Sequence, residues 1–457
     1  MRENWATRAG FILASIGSAI GLGNIWRFSY LAHANGGGAF LIPYFIALFV
    51  TGISLLMVEF ALGHKFKASA PLAMRQIGRK FEWVGWWAVL SAFIITTYYI
   101  VVIGWALVYF AKSFTLAWGA DTKSYFFGNV LQLSNSPWEI SGFAMEVLVA
   151  VIIIWIINWF VVFRGVKKGI EKANLVMMPL LWLLAIILVV RAVTLPGALD
   201  GLEWYLRPDL SYLPEKSDIA NNSFIIGLAD SAFSFLIGFA VFGTLGYMAF
   251  ATQTSVQEVV AGGVGLAFIV FPQALNLIPG FPQLVAAIFF LTLIVAGLSS
   301  SMSLLESITS SLMDKFRISR AKAVNSVFLL GLLGSLVYTT NAGLYWLDII
   351  DHFINYYGLV LVALLEVIAV AWFFKLSSLR EHINAVSEIK IGRWWNWSLK
   401  YVTVFILAVL LIMDIWGNLQ KPYEGYSIDA LGTGILVILI GMLVSAILTL
   451  RRGKDVA

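Results

Sequence analysis

The chain contains no cysteine. That excludes a disulfide framework, thiolate metal sites and thiol catalysis. Histidine is scarce, with four residues in 457, and no metal-ligand spacing is present. Charge is sparse as well. Asp, Glu, Lys and Arg make up 12% of the chain, against about 25% in soluble domains. The remainder is apolar: hydrophobic residues reach 60% and the mean hydropathy is +0.88. Apolar runs near 20 residues recur, matching a hydrocarbon core about 30 Å thick. This is the composition of an all-α integral membrane protein whose surroundings are the lipid bilayer. The net charge of +5 does not imply a nucleic-acid partner, because the basic residues sit in short loops, as orientation signals do. The first apolar run is too long for a cleavable signal peptide. No paired catalytic constellation appears, so the chain does not read as an enzyme.

Residues 10–43 read GFILASIGSAIGLGNIWRFSYLAHANGGGAFLIP. The segment is hydrophobic enough to cross a membrane, yet it carries Gly17, Gly21, Gly23, Asn24 and Arg27. Glycine costs about 1 kcal/mol relative to alanine in a helix interior, and an intramembrane Arg costs several kcal/mol unless paired or wet. A helix that breaks at mid-membrane and turns its freed backbone groups to an ion or ligand accounts for all of these residues. A packing stripe of small residues accounts for the glycines alone.

Further apolar spans are expected at 38–62, 84–112, 142–163, 171–193, 223–250, 283–313, 322–340, 348–374, 397–418 and 431–450, making eleven with 9–31. The stretch 251–282 is poor in charge and reads as a short helical hairpin on the membrane face. Arg2 and Arg8 place the N-terminus in the cytoplasm by the positive-inside rule. Lys65, Lys67, Arg75, Arg79 and Lys80, then Arg164, Lys167, Lys168 and Lys172, fall on the same side. After the fifth span the alternation inverts. Lys315, Arg317, Arg320 and Lys322, and later Lys375, Arg380, Lys390 and Arg393, would lie outside. One more crossing between 194 and 222 restores the rule throughout, but that stretch is too polar to supply it. The charge pattern therefore implies that a span is missing between Leu210 and Lys216.

WATRAGFILASIGSAIGLGNIWRFSYLAHANGGGAFLIPY at 5–44 resembles the opening of the neurotransmitter:sodium symporter family. The resemblance continues through Glu59, Tyr98-Tyr99, RGVKKGIEKANLVMMP at 164–179, GLEWYLRPDLSYL at 201–213, AGLSSSMSLLE at 296–306 and LDIIDHFINYYG at 347–358. It covers nearly the whole chain, and bacterial amino-acid carriers fit best. It implies a LeuT-like inverted-repeat helical bundle in a single transporter domain. The first five-helix repeat would span 9–193 and an incomplete second repeat 223–374, with two additional helices at 397–450. Eleven spans are readable where the family has twelve. The flanks of the family's sixth helix meet here at Leu210–Glu215, so on the order of 30 residues, close to one span, are missing.

The resemblance also implies a site. One sodium would draw on Ala19, Asn24 and Asp230, with a sixth-helix hydroxyl that has no counterpart here. A second would draw on Gly17, Ile20, Ala296, Ser299 and Ser300. Substrate would meet Ala19, Gly21, Gly23, Ile95, Tyr99 and Ser300. Arg27 and Asp351 would form an outer gate pair, with Phe268 as a lid. Glu59 and Glu366 would accept hydrogen bonds around the unwound segments. Gly21 stands where monoamine carriers of the family have Asp, which leaves room for the carboxylate of an α-amino acid. The apolar wall favours a hydrophobic or aromatic one. A carboxylate at Asp230 supplies the charge that bound chloride supplies in other members, so chloride is not expected to be required. The function implied is sodium-coupled amino-acid symport across the plasma membrane by alternating access. The alternative is a transport-incompetent relative that keeps the scaffold and the second sodium site.

Overall fold

The computed structural model describes residues 5–207, 224–256, 259, 263–387 and 390–451, with the backbone alone at 50 and 224–229. The break expected between Leu210 and Lys216 lies outside the described residues. We label the helices α1 (Arg8–Ala19), α2 (Leu22–Ala34), α3 (Gly38–Ala47), α4 (Ile53–Phe66), α5 (Arg79–Ser113), α6 (Met145–Phe163), α7 (Val166–Val193), α8 (Ala198–Leu206), α9 (Phe224–Thr252), α10 (Leu266–Leu277), α11 (Pro282–Phe316), α12 (Arg320–Thr339), α13 (Gly343–Phe373), α14 (Leu376–Val386), α15 (Val404–Gln420) and α16 (Ile428–Leu450). Among the described residues nine helices are long and apolar enough to cross a membrane, ten if the bent pair α1 and α2 counts as one span. α3 runs into α4 through a π turn at Leu48–Gly52, with Pro43 inside α3. In place of the hairpin expected at 251–282, α10 is one short apolar helix.

α5 and α11 pack along each other at the centre of the bundle. Trp86, Trp87 and Trp105 on α5 and Phe290 and Leu293 on α11 are almost fully buried. α1 lies closely against α7. Thr7 caps α1 by accepting from Gly10 N. The Glu171 carboxylate in turn accepts from Ala6 N at 2.8 Å and Thr7 Oγ1 at 2.8 Å. A Cβ on Gly10 would lie 2.1 Å from Glu171 Oε1, so only glycine lets the helices approach this far. α15 and α16 are peripheral. Phe405, Ile412 and Trp416 face outward, as a lipid-facing helix requires.

The charges inside the bundle are paired. Lys315 on α11 binds Glu82 on α5, both nearly fully buried, with Arg75 3.8 Å away. Arg320 binds the Glu306 carboxylate and the Val162 carbonyl. Arg191 donates to the Pro279 carbonyl at 2.6 Å. Removing one partner of such a pair costs about 3–5 kcal/mol, because the other charge is left buried.

His64 Nδ1 and His382 Nε2 stand 3.0 Å apart where α14 packs on α4, and Lys65 donates to Ser378 Oγ beside them at 2.9 Å. Burial first, then His64 and Lys65, hold the His382 pKa below its ordinary value of 6.5. Just below 6.5 the detached helix therefore binds more protons than the docked one, and the contact weakens as pH falls through this window. Amide exchange in 376–386, corrected for intrinsic rates, should accelerate as pH is lowered from about 7 to about 5. His382→Asn should flatten that dependence. Exchange that does not change with pH would refute this.

Candidate functional site

The break in the first span sets the site. α1 and α2 meet at 65°. Ile20 (φ −69°, ψ 111°) and Gly21 (φ −130°, ψ −171°) between them are extended. Backbone groups on both sides of the break leave the helical ladder and need other partners. Asn24 Oδ1 accepts from Gly21 N at 2.8 Å, and the Tyr99 hydroxyl accepts from Leu22 N at 2.9 Å. On the other side, Ser300 Oγ donates to the Ser18 carbonyl at 2.8 Å. Three elements, the broken span, α5 and α11, thus meet at one point.

The two groups expected to hold cations lie on either side of this break. Gly17 and Ile20 are buried at the end of α1, and Ala296, Ser299 and Ser300 are buried on α11. Ser299 Oγ donates to the Ala296 carbonyl at 2.8 Å. Toward α9, Asn24 Nδ2 donates to Asp230 Oδ1 at 2.6 Å and to Ser234 Oγ at 2.8 Å. A hydrogen bond to an ionised carboxylate is about twice as strong as a neutral one. The first group offers carbonyl and hydroxyl oxygens and the second adds the Asp230 carboxylate, oxygen donors of the kind that suit a hard cation. Tyr44 on α3 joins the second group through Ser231 Oγ at 2.9 Å. Sequence reasoning missed Tyr44 and Ser231, since both lie in ordinary apolar runs and only packing brings them together.

The glycines differ in their work. A Cβ on Gly17 would lie 2.4 Å from Asn174 Oδ1, so this glycine is also a close-packing position. A Cβ on Gly21 would lie 2.8 Å from the Tyr99 hydroxyl and 3.4 Å from Ser300 Oγ. On Gly23 it would meet only the Arg27 Cβ, at 3.9 Å. Ile95 lies one helical turn before Tyr99 and is half-buried, as are Ala19 and Gly23.

Arg27 Nη1 is 3.9 Å from Asp351 Oδ2, with the side chains 52% and 36% exposed. The pair is wet and loosely closed, so it adds little stability. Tyr98 holds Asp351 by donating to Oδ1 at 2.7 Å. Phe268, expected as a lid, lies within an aromatic cluster. Its ring is fully buried, stacks on Phe126 at 5.4 Å and packs against Trp105 and Tyr109. It reaches the broken span only through Trp26, at 6.2 Å. Glu59 lies within Coulombic reach of Glu366. The Glu59 side chain is exposed and Glu366 half-buried.

A family model described as "Sodium:neurotransmitter symporter family" matches residues 2–125, 119–217 and 210–453. An uncharacterized sodium-dependent transporter of Methanocaldococcus jannaschii is 45% identical over 478 aligned positions, covering 98% of this chain and 97% of that protein. The sodium- and chloride-dependent GABA transporter 2 of Bos taurus is 30% identical, over 92% of this chain and 80% of its own length. The protein of the same name from Rattus norvegicus matches to the same extent.

Gly21→Ala should displace the Tyr99 hydroxyl and lower sodium-dependent ligand affinity by about tenfold or more, equivalent to about 1.4 kcal/mol. Gly23→Ala, which meets no close neighbour, should cost much less. Equal losses in equilibrium binding for the two variants would contradict this geometry.

Proposed function

Because the chain belongs to the sodium:neurotransmitter symporter family and is a sodium-dependent secondary transporter, we propose that it carries a hydrophobic or aromatic L-amino acid together with sodium by alternating access. The observation that carries this reading is the broken span. Its end groups are held by Asn24, Tyr99 and Ser300, all side chains that an arriving ion or carboxylate can replace. Gly17, Ile20, Ala296, Ser299 and Ser300 would hold one sodium, and Ala19, Asn24 and Asp230 the other. The amino acid's carboxylate would lie against Gly21, Gly23 and the Tyr99 hydroxyl, near the positive end of α2. Its side chain would lie toward Ile95. A methyl has no room at Gly21, and the missing side-chain carboxylate there argues against a monoamine. Arg27 and Asp351 would close above, with the N-terminus on the cytoplasmic face of the plasma membrane.

The Asn24–Asp230 contact supports this reading. The amide N–H sits on the carboxylate. Sodium would take that place, and the amide would turn its oxygen toward the ion. Since Asp230 carries the negative charge itself, transport should proceed equally in gluconate and chloride media. Asp230→Asn should convert it to chloride-stimulated transport. An absolute chloride requirement in the parent chain would rule this out.

A transport-incompetent relative is the second reading, and four observations favour it. Loop charge requires a further crossing between Leu210 and Lys216. The family match restarts at two places, one of them 210–217. The alignment to the archaeal relative runs over 478 positions against a chain of 457, an excess of at least 21. Among the described residues, Glu59 and Glu366 accept no hydrogen bond, whereas their family role requires donors from unwound backbone. Binding of radiolabelled amino acids to the purified protein in sodium and in choline separates the readings. Saturable, sodium-dependent binding supports the carrier. Its absence beside a binding-competent relative supports the second reading.

A further inference from the structure

The turn of α13 that carries Asp351 is gripped from its other side. Asp348, one turn earlier, accepts hydrogen bonds from the Tyr423 hydroxyl at 3.1 Å (Oδ1) and the Tyr426 hydroxyl at 3.0 Å (Oδ2). Both tyrosines lie in the connector between α15 and α16. The Tyr423 ring also stacks on His352, next to Asp351, with centroids 3.9 Å apart and planes 13° from parallel. His352 Nε2 is 3.1 Å from Asn418 Nδ2 and 3.9 Å from Asp414 Oδ1, both on α15. Burial, and then the Asp348 carboxylate, push the Tyr426 ionisation far above its ordinary range, which keeps its hydroxyl a donor.

One helical turn thus faces two ways. Asp351 points to Arg27 and Tyr98, and Asp348 and His352 point to the connector. Any rotation of this turn that moves Asp351 relative to Arg27 must work against two hydrogen bonds to a carboxylate and an aromatic stack. The 3.9 Å separation of Arg27 and Asp351 is weak by comparison. We infer that Tyr423 and Tyr426 are positioning residues for the outer gate, acting through Asp348, so that the two peripheral helices set how closely Arg27 and Asp351 approach.

This inference rests on the gate reading given above, and its test separates the two. The chain has no cysteine, so Gly23→Cys introduces a single thiol one turn below Arg27, where a Cβ meets nothing closer than 3.9 Å. The reporter is labelled with a membrane-impermeant methanethiosulfonate in intact cells in sodium buffer. Tyr423→Phe with Tyr426→Phe keeps both rings and removes only the hydroxyls. The labelling rate should rise at least about threefold, a shift of about 0.65 kcal/mol. Tyr426→Phe alone and Asp348→Asn give the same readout if the double variant fails to reach the surface. Asp351→Asn is the control. An unchanged or slower rate in the tyrosine variants, with Asp351→Asn faster, overturns the inference and leaves the gate standing. An unchanged rate in Asp351→Asn removes the gate reading and the inference with it.

Discussion

A transmembrane helix that breaks in the middle of the bilayer exposes backbone groups that lipid cannot satisfy. Each costs several kcal/mol if left alone, so the surroundings must be organised to meet them. In this chain the break at Ile20–Gly21 is met by Asn24 from within the same span, by Tyr99 from α5 and by Ser300 from α11. α5 and α11 are central, largely buried helices of the bundle, and they hold the least regular one. Under the proposed function, the need to satisfy the break and the capacity to bind an ion would have the same cause, since the side chains that hold the broken ends are those an ion or carboxylate would replace.

The rest of the charge is arranged around that constraint. The Lys315–Glu82 pair is buried and the Arg320–Glu306 pair half-buried, and they tie α11 to α5 and α12. The Arg27–Asp351 pair is exposed and open. Pairs of the first kind resist separation because separation leaves a desolvated charge. A pair of the second kind separates at small cost, as the proposed gate would require. Asp348, by contrast, is held by two tyrosines.

Much of the site was legible because its residues violate local economy. Glycines, Asn24 and Arg27 in one apolar span are costly, and that cost pointed to function before any coordinates were considered. Asp230 and the Ser299-Ser300 pair were singled out by resemblance to the family. Tyr44, Ser231 and the Tyr423–Tyr426 connector were not, because tyrosine and serine are unremarkable near membrane interfaces and acquire meaning only from their partners. The aromatic cluster around Phe268 was not legible either, because only tertiary packing brings Phe126, Trp105 and Tyr109 against it.

By itself the sequence determined the membrane class, the break in the first span, the family and most of the spans; eleven were expected, and among the described residues nine helices, or ten with the bent pair, are long and apolar enough to cross. Each depends on hydropathy, loop charge or local residue chemistry, all of which are properties of short stretches of chain. Only the tertiary structure decided which groups meet at the break. It gave Gly17 a packing contact with Asn174 and Gly21 a contact with Tyr99. It also left the Arg27–Asp351 pair wet, where sequence alone could not distinguish a buried pair from an exposed one. Those outcomes depend on distances between residues tens to hundreds of positions apart. Such distances are set by how helices pack, and no local pattern encodes them.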